Sequence, residues 1–105
     1  MKTAYQQGMM ISIDETSGNW SNATSWCSNY GSGWYLPSRD EFTTIYAMKS
    51  YINSILSTLG KTTLSGKYWS STTNGGYHYY YNMDSSYSDW ESSSNTYKVR
   101  AVHKF

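Results

Sequence analysis

The spacing of apolar positions changes character along the chain. Residues 8–14, GMMISID, form a short apolar run of β-favouring residues and predict a strand. The ETSGN that follows is turn chemistry. From Trp20 the spacing becomes helical, with Trp20, Ala23, Trp26, Cys27 and Tyr30 on one face. Asn19 or Ser21 can cap the start of this helix, and Gly31 and Gly33 end it. Pro37 forces Leu36 into an extended conformation and closes any strand there. Ser38 stands three residues before Glu41, the capping-box spacing, so a second helix starts after Ser38. Its face runs through Phe42, Ile45, Tyr46 and Lys49. It continues through Ile52, Ile55, Leu56 and Leu59, with a break near Ser50 and a stop at Gly60.

Beyond Gly60 the pattern is that of short strands. KYWSST predicts one strand, Asn74-Gly75 a tight turn and YHYYYNM a second strand. DSS is a turn, YSDWE a third strand and SSSN a loop. The last strand is TYKVRAVHKF. Val99, Ala101 and His103 lie on one of its faces, and Lys98, Arg100 and Val102 on the other. Helices in the first half and strands in the second, after one initial strand, define an α+β domain. At 105 residues, with no internal repeat or linker, residues 1–105 form a single domain. The expected architecture is two helices on a small twisted antiparallel sheet, with the N-terminal strand paired to the C-terminal one.

Composition narrows the function. Charged residues make up 14% of the chain and aromatics 18%, with a formal net charge of +1, the reverse of a disordered profile. The basic residues are scattered, which argues against a nucleic-acid partner. No apolar run is long enough for membrane insertion, and the first residues contain no stretch resembling a signal peptide. Cys27 is the sole cysteine. It can form neither an internal disulfide nor a thiolate metal site, and beside Trp26 it reads as a small buried hydrophobe. Trp20, Trp26, Trp34 and Trp69 read as core, and Arg100 as an anchor for Glu41 or Asp40. Asp84, Asp89 and Glu91 carry oxygen ligands, but their spacing matches no calcium loop, so no metal or cofactor is expected. The two histidines join no nucleophile and base, so no enzyme is expected.

Residues 77–97 stand apart. They contain six tyrosines and six serines, the vocabulary of antibody paratopes. Tyrosine offers a large amphipathic contact at low rotamer cost, and serine and asparagine offer adaptable hydrogen bonds. If Met83 points inward, Tyr79 and Tyr81 share its face, while His78, Tyr80 and Asn82 point outward.

Motif positions in a fixed order carry a family resemblance. Trp20, Ala23 and Cys27 come first. Gly33-Trp34, Leu36-Pro37 and Glu41 follow, and then Tyr68-Trp69-Ser70-Ser71 and Val99-Arg100. From Trp20 onward the chain resembles bacterial domains built on W…A…C…GWRLPT..EL…YWSS…VR.V, which implies a C-type-lectin-like fold. Many such relatives carry a cysteine that pairs with the helix cysteine. Ala101 holds that position here, so the disulfide is absent. The tyrosine tract further resembles the variable proteins of diversity-generating retroelements, in which adenine-directed reverse transcription scrambles codons near the C-terminus. Between residues 72 and 97, nearly every residue is reachable from an asparagine codon with both adenines randomised. Met83, Trp90 and Glu91 are the exceptions and therefore read as scaffold.

That resemblance implies a receptor-binding or adhesin-like domain on a phage virion or bacterial surface, engaging a protein or glycan ligand. The expected contact residues are Asn74, Tyr77, His78, Tyr80, Asn82, Asp84, Tyr87, Asp89, Ser93 and Asn95. The competing expectation is a structural subunit of a pilus or fibre, with the aromatic surface as its assembly interface.

Overall fold

The structure, a computed structural model, describes residues 8–104. Strands β1 (Met9–Ile11) and β2 (Thr16–Gly18) precede helix α1 (Trp20–Tyr30). Strand β3 (Trp34–Tyr35) leads into α2 (Arg39–Ala47) and α3 (Lys49–Thr58). Five strands complete the chain: β4 (Lys67–Asn74), β5 (Tyr77–Asn82), β6 (Ser88–Ser92), β7 (Tyr97–Val99) and β8 (Val102–Lys104).

The helix starts follow their local chemistry. The Asn19 side chain accepts from the Asn22 amide at 2.9 Å and caps α1. The capping box of α2 is complete. The Glu41 amide donates to Ser38 Oγ at 3.1 Å, and the Ser38 amide donates to Glu41 Oε1 at 2.8 Å. The expected break in the second helical segment falls at Met48 rather than near Ser50, so there are three helices where two were expected.

The strands form two sheets, ordered β1-β8-β3 and β2-β7-β4-β5-β6. β1 runs antiparallel to β8 with Met9 opposite Lys104, the expected pairing of the terminal strands. The larger sheet is mixed rather than purely antiparallel, because β7 lies parallel to β4 where Tyr68 faces Lys98. The ETSGN segment is also not merely a turn. Thr16–Gly18 pairs with Tyr97–Val99, a long-range partnership that overrides weak local propensity.

The expected single last strand is divided. β7 belongs to the larger sheet and β8 to the smaller, and Arg100 and Ala101 turn the corner between them. Arg100 is fully buried there. Its Nε donates to Glu15 Oε1 at 2.9 Å, its Nη1 donates to the Ser12 carbonyl at 2.8 Å, and its Nη2 donates to the Thr62 carbonyl. Its carboxylate partner is therefore Glu15, not Glu41 or Asp40. Glu41 is already engaged by the capping box and by the Tyr35 hydroxyl at 2.7 Å.

Two apolar clusters result. Phe42, Ile45, Leu56, Leu64, Tyr68, Tyr81, Met83 and Val102 form one. Ala23, Cys27, Leu36, Trp69, Val99 and Ala101 form the other, flanked by half-buried Trp20, Trp26 and Trp34. Neighbouring residues Tyr68 and Trp69 enter different clusters, so β4 is a wall shared by both. The alternation expected for the last segment holds, with Val99 and Ala101 in one cluster and Val102 in the other. Cys27 is buried, and its thiol donates to the Arg100 carbonyl at 3.6 Å.

Candidate binding face

The tyrosine tract folds as the β5–β6 hairpin and the turns at its ends. Its register sets Tyr77 opposite Ser92, Tyr79 opposite Trp90 and Tyr81 opposite Ser88. His78 lies opposite Glu91, and Tyr80 opposite Asp89. Strict alternation then divides β5 between two faces.

One face turns toward α2. Met83 is fully buried there and Tyr81 stacks on Phe42, with centroids 5.6 Å apart. Tyr79 shares that face as expected, but it lies under a different group: the Arg39 guanidinium sits 4.1 Å from its ring centroid. Trp90 meets Tyr79 edge-on at 6.0 Å and stacks with Tyr77 at 6.5 Å. Tyr77 and Trp90 are half-exposed, so Trp90, expected as scaffold, is a surface aromatic. A groove of about 510 Å3 lies by Tyr81 on this face, lined also by Arg39, Asp40, Tyr46, Ser86 and Ser88 among others.

The other face carries His78, Tyr80 and Asn82, and it is far less open than parity alone implied. The His78 ring stacks on Trp20 at 3.8 Å with 14° between planes, and meets Trp69 edge-on at 6.5 Å. Burial holds its pKa below the usual imidazole value, and its Nδ1 lacks a hydrogen-bond partner among the described residues. Tyr80 is only 5% exposed, which corrects its reading as an open contact. Tyr97 packs against it at 5.2 Å, Tyr87 at 6.4 Å, and Lys67 Nζ lies 4.8 Å above its ring. Parity identified the face of each side chain but not what covers it.

Polar groups order the rim of this face. The Tyr87 hydroxyl donates to Asp89 Oδ2 at 3.0 Å, and Asn95 Nδ2 donates to Glu91 Oε1 at 3.0 Å. Burial raises the Tyr80 pKa, and Tyr87, Asp89 and Glu91 push it further the same way. Burial, Glu91 and Tyr80 likewise raise that of Tyr97.

The structure thus brings His78, Tyr80, Tyr87 and Asp89 onto one surface, with Asn95 joined to it through Glu91. Tyr77 lies on the opposite face with Trp90. Asn82 is occupied in the turn, where its Oδ1 accepts from the Asp84 amide at 2.8 Å. Asp84 faces Lys49 at 3.9 Å, and Asn74 closes the β4–β5 hairpin opposite Tyr77. Ser93 is exposed, and its carbonyl accepts from the Trp20 amide at 3.1 Å. Sequence reasoning missed Lys67 and Tyr97, because the strands that bring them to Tyr80 pair across the sheet. Among the described residues, no three His, Cys, Asp or Glu side chains are grouped to hold a metal, and no helix is long and apolar enough to cross a membrane.

The model of one protein family, described as the Lcl C-terminal domain, matches residues 2–103. With the α+β arrangement and the paired terminal strands, it identifies the fold as C-type-lectin-like. No curated protein matches the chain.

Proposed function

This chain belongs to the Lcl C-terminal domain family, and on that premise we propose that it is a receptor-binding or adhesin-like domain of a virion or bacterial surface. Its Tyr-, Ser- and Asn-rich tract is the binding face, diversified by a retroelement, and its ligand is a protein or glycan. One observation carries the reading. The tract occupies the outermost hairpin of a packed sheet, and Met83, expected to be invariant, is its fully buried anchor. A rigid scaffold under an adaptable aromatic and hydroxyl surface is what a paratope requires. Tyr80 and Tyr81 are nearly as buried as Met83 and join the fixed set, whereas Tyr77, Tyr87 and Ser93 are open to variation.

The decisive experiment is deep sequencing of the gene and its flanks in the source population. The expected result is a near-copy of the codons for residues 72–97 that differs only where that copy has adenine, with the codons for Met83, Trp90 and Glu91 unchanged. Fixed codons and no such copy would overturn diversification. Separately, Tyr77→Ser, Tyr87→Ser and Asp89→Asn together should abolish attachment of the domain to target cells while leaving its melting temperature unchanged.

A second reading has its own support. Met48, Tyr51, Ile55 and Leu59 are exposed along α3 at helical spacing, as an assembly interface of a fibre subunit would be. Under that reading, sedimentation shows oligomers that Tyr51→Ser with Leu59→Ser dissolves. A monomer at high concentration removes it.

A further inference from the structure

The face bearing Tyr80 already holds a cation. Lys67 Nζ lies 4.8 Å from the Tyr80 centroid and 5.7 Å from that of Tyr97. Those two rings are 5.2 Å apart, and Tyr87 flanks Tyr80 on another side. The register places Asp89 directly across from Tyr80, with Glu91 two residues further along the same face of β6. The Tyr80 and Tyr97 rings at these distances from an ammonium form two walls of an aromatic cage, in which the negative ring faces attract the charge, and Tyr87 beside Tyr80 stands at its rim.

Two features show that Lys67 is a loose occupant. Its side chain forms no hydrogen bond or ion pair with any other described residue, so the rings are its attachment. Lys67 is itself exposed, as is Tyr87, although Tyr80 beneath them is 5% exposed. Tyr80 is thus covered partly by a solvated lysine rather than by core. Two carboxylates share the face with that single lysine, so the surface has a negative excess. An exposed cation over a ring is held weakly, and a competing cation displaces it at little cost.

We propose that Tyr80, Tyr97 and Tyr87, with Asp89 and Glu91, form a cage for a basic side chain of a protein ligand, a lysine ammonium or arginine guanidinium, and that Lys67 fills the cage until the ligand displaces it. This rests on the reading of the tract as a binding face and names the chemistry that face selects. Lys67 acts as an internal competitor. The cage floor, Tyr80, is fixed by packing, whereas Tyr87 and Asp89 at the rim set which basic segments fit.

The test titrates a penta-lysine peptide into the isotopically labelled domain and follows the ring resonances of Tyr80 and Tyr97. Wild type is compared with Lys67→Ala, and with Lys61→Ala as a remote variant of equal charge. The expected result is saturable movement of both rings, with Lys67→Ala binding about fivefold or more tighter than wild type. Lys61→Ala should match wild type. Asp89→Asn with Glu91→Gln in the Lys67→Ala background should remove the gain, with the melting temperature reporting that each variant is folded. Equal effects of Lys67→Ala and Lys61→Ala, or shifts scattered over the surface, would overturn the cage. The outcome is separable from that of the proposed function. A ligand whose attachment needs Tyr87 and Asp89 but which has no basic group would leave the binding face standing and refute the cage.

Discussion

Arg100 and Glu15 form a buried ion pair, with Nε and Oε1 2.9 Å apart and the arginine side chain entirely sealed from solvent. The same carboxylate oxygen accepts from the Tyr68 hydroxyl at 2.6 Å. Glu15 leads into β2, Arg100 joins β7 to β8, and Tyr68 lies in β4, so one carboxylate ties together three parts of the fold. Removing it leaves a guanidinium buried without its counter-charge. Glu15→Ala is expected to cost about 3–5 kcal/mol, read from urea unfolding. A loss below about 1 kcal/mol, the level of an exposed pair, would contradict this account.

Alkaline pH should weaken the fold. Burial pushes the Cys27 thiol up to about 12 from an ordinary 9.0. Burial, then the hydrogen bond to Glu15, raises the Tyr68 phenol, and burial, then Glu41, raises that of Tyr35. Each group keeps its proton longer in the folded chain than in the unfolded one. Above the ordinary values the unfolded chain therefore binds fewer protons, and stability falls as pH rises. Urea midpoints should be level between about pH 7 and about pH 9 and decline above it. Cys27 should also resist alkylation at pH 8 until the chain unfolds.

The acid limb has the opposite sign. Burial alone would raise the Glu41 pKa, but hydrogen bonds from Tyr35 and Ser38 outweigh it and hold the carboxyl below its usual range. The stabilisation is present above the ordinary carboxylate value and disappears as pH falls through the folded one. Glu41→Gln should flatten the acid limb of the stability profile, and an unchanged limb would assign it to other carboxylates.

Ala101 and Cys27 are both fully buried in the same apolar cluster. Ala101→Cys is therefore expected to oxidise to a disulfide with Cys27 and to stabilise the domain by about 2–4 kcal/mol, since the closed loop is long. Thiol titration under denaturing conditions checks the bond. Two free thiols after oxidation would show that the pair is misaligned.

Gly33 adopts φ +84°, and a Cβ there would lie 2.6 Å from His103 Nε2. Gly33→Ala should lower stability by more than about 1 kcal/mol, combining left-handed strain with the clash against β8. His103→Ala should recover part of that loss, measured as a double-mutant cycle.

What the sequence revealed was mostly local. The Ser38–Glu41 box and the Asn19 cap need only neighbouring residues and are present, and the tight turn expected at Asn74-Gly75 forms one residue later, at Gly75-Gly76, with Asn74 paired to Tyr77. The pairing of the terminal strands and the burial of Cys27 and Met83 followed from pattern. Apart from the helix break, which falls at Met48 and is local, the larger misses are long-range. Nothing near Arg100 indicates Glu15, 85 positions away, and nothing near Thr16–Gly18 indicates its pairing with β7. Alternation told which way Tyr80 points, but Lys67 and Tyr97 cover it from strands whose adjacency is a property of the whole sheet.

The sheet order leaves β6 with β5 as its single neighbour. A substitution in β6 is felt directly by one strand, whereas a substitution in β4 reaches both apolar clusters. A change in β6 therefore meets less resistance from the fold than one in β4, and heredity has more latitude at that edge than in the wall between the clusters.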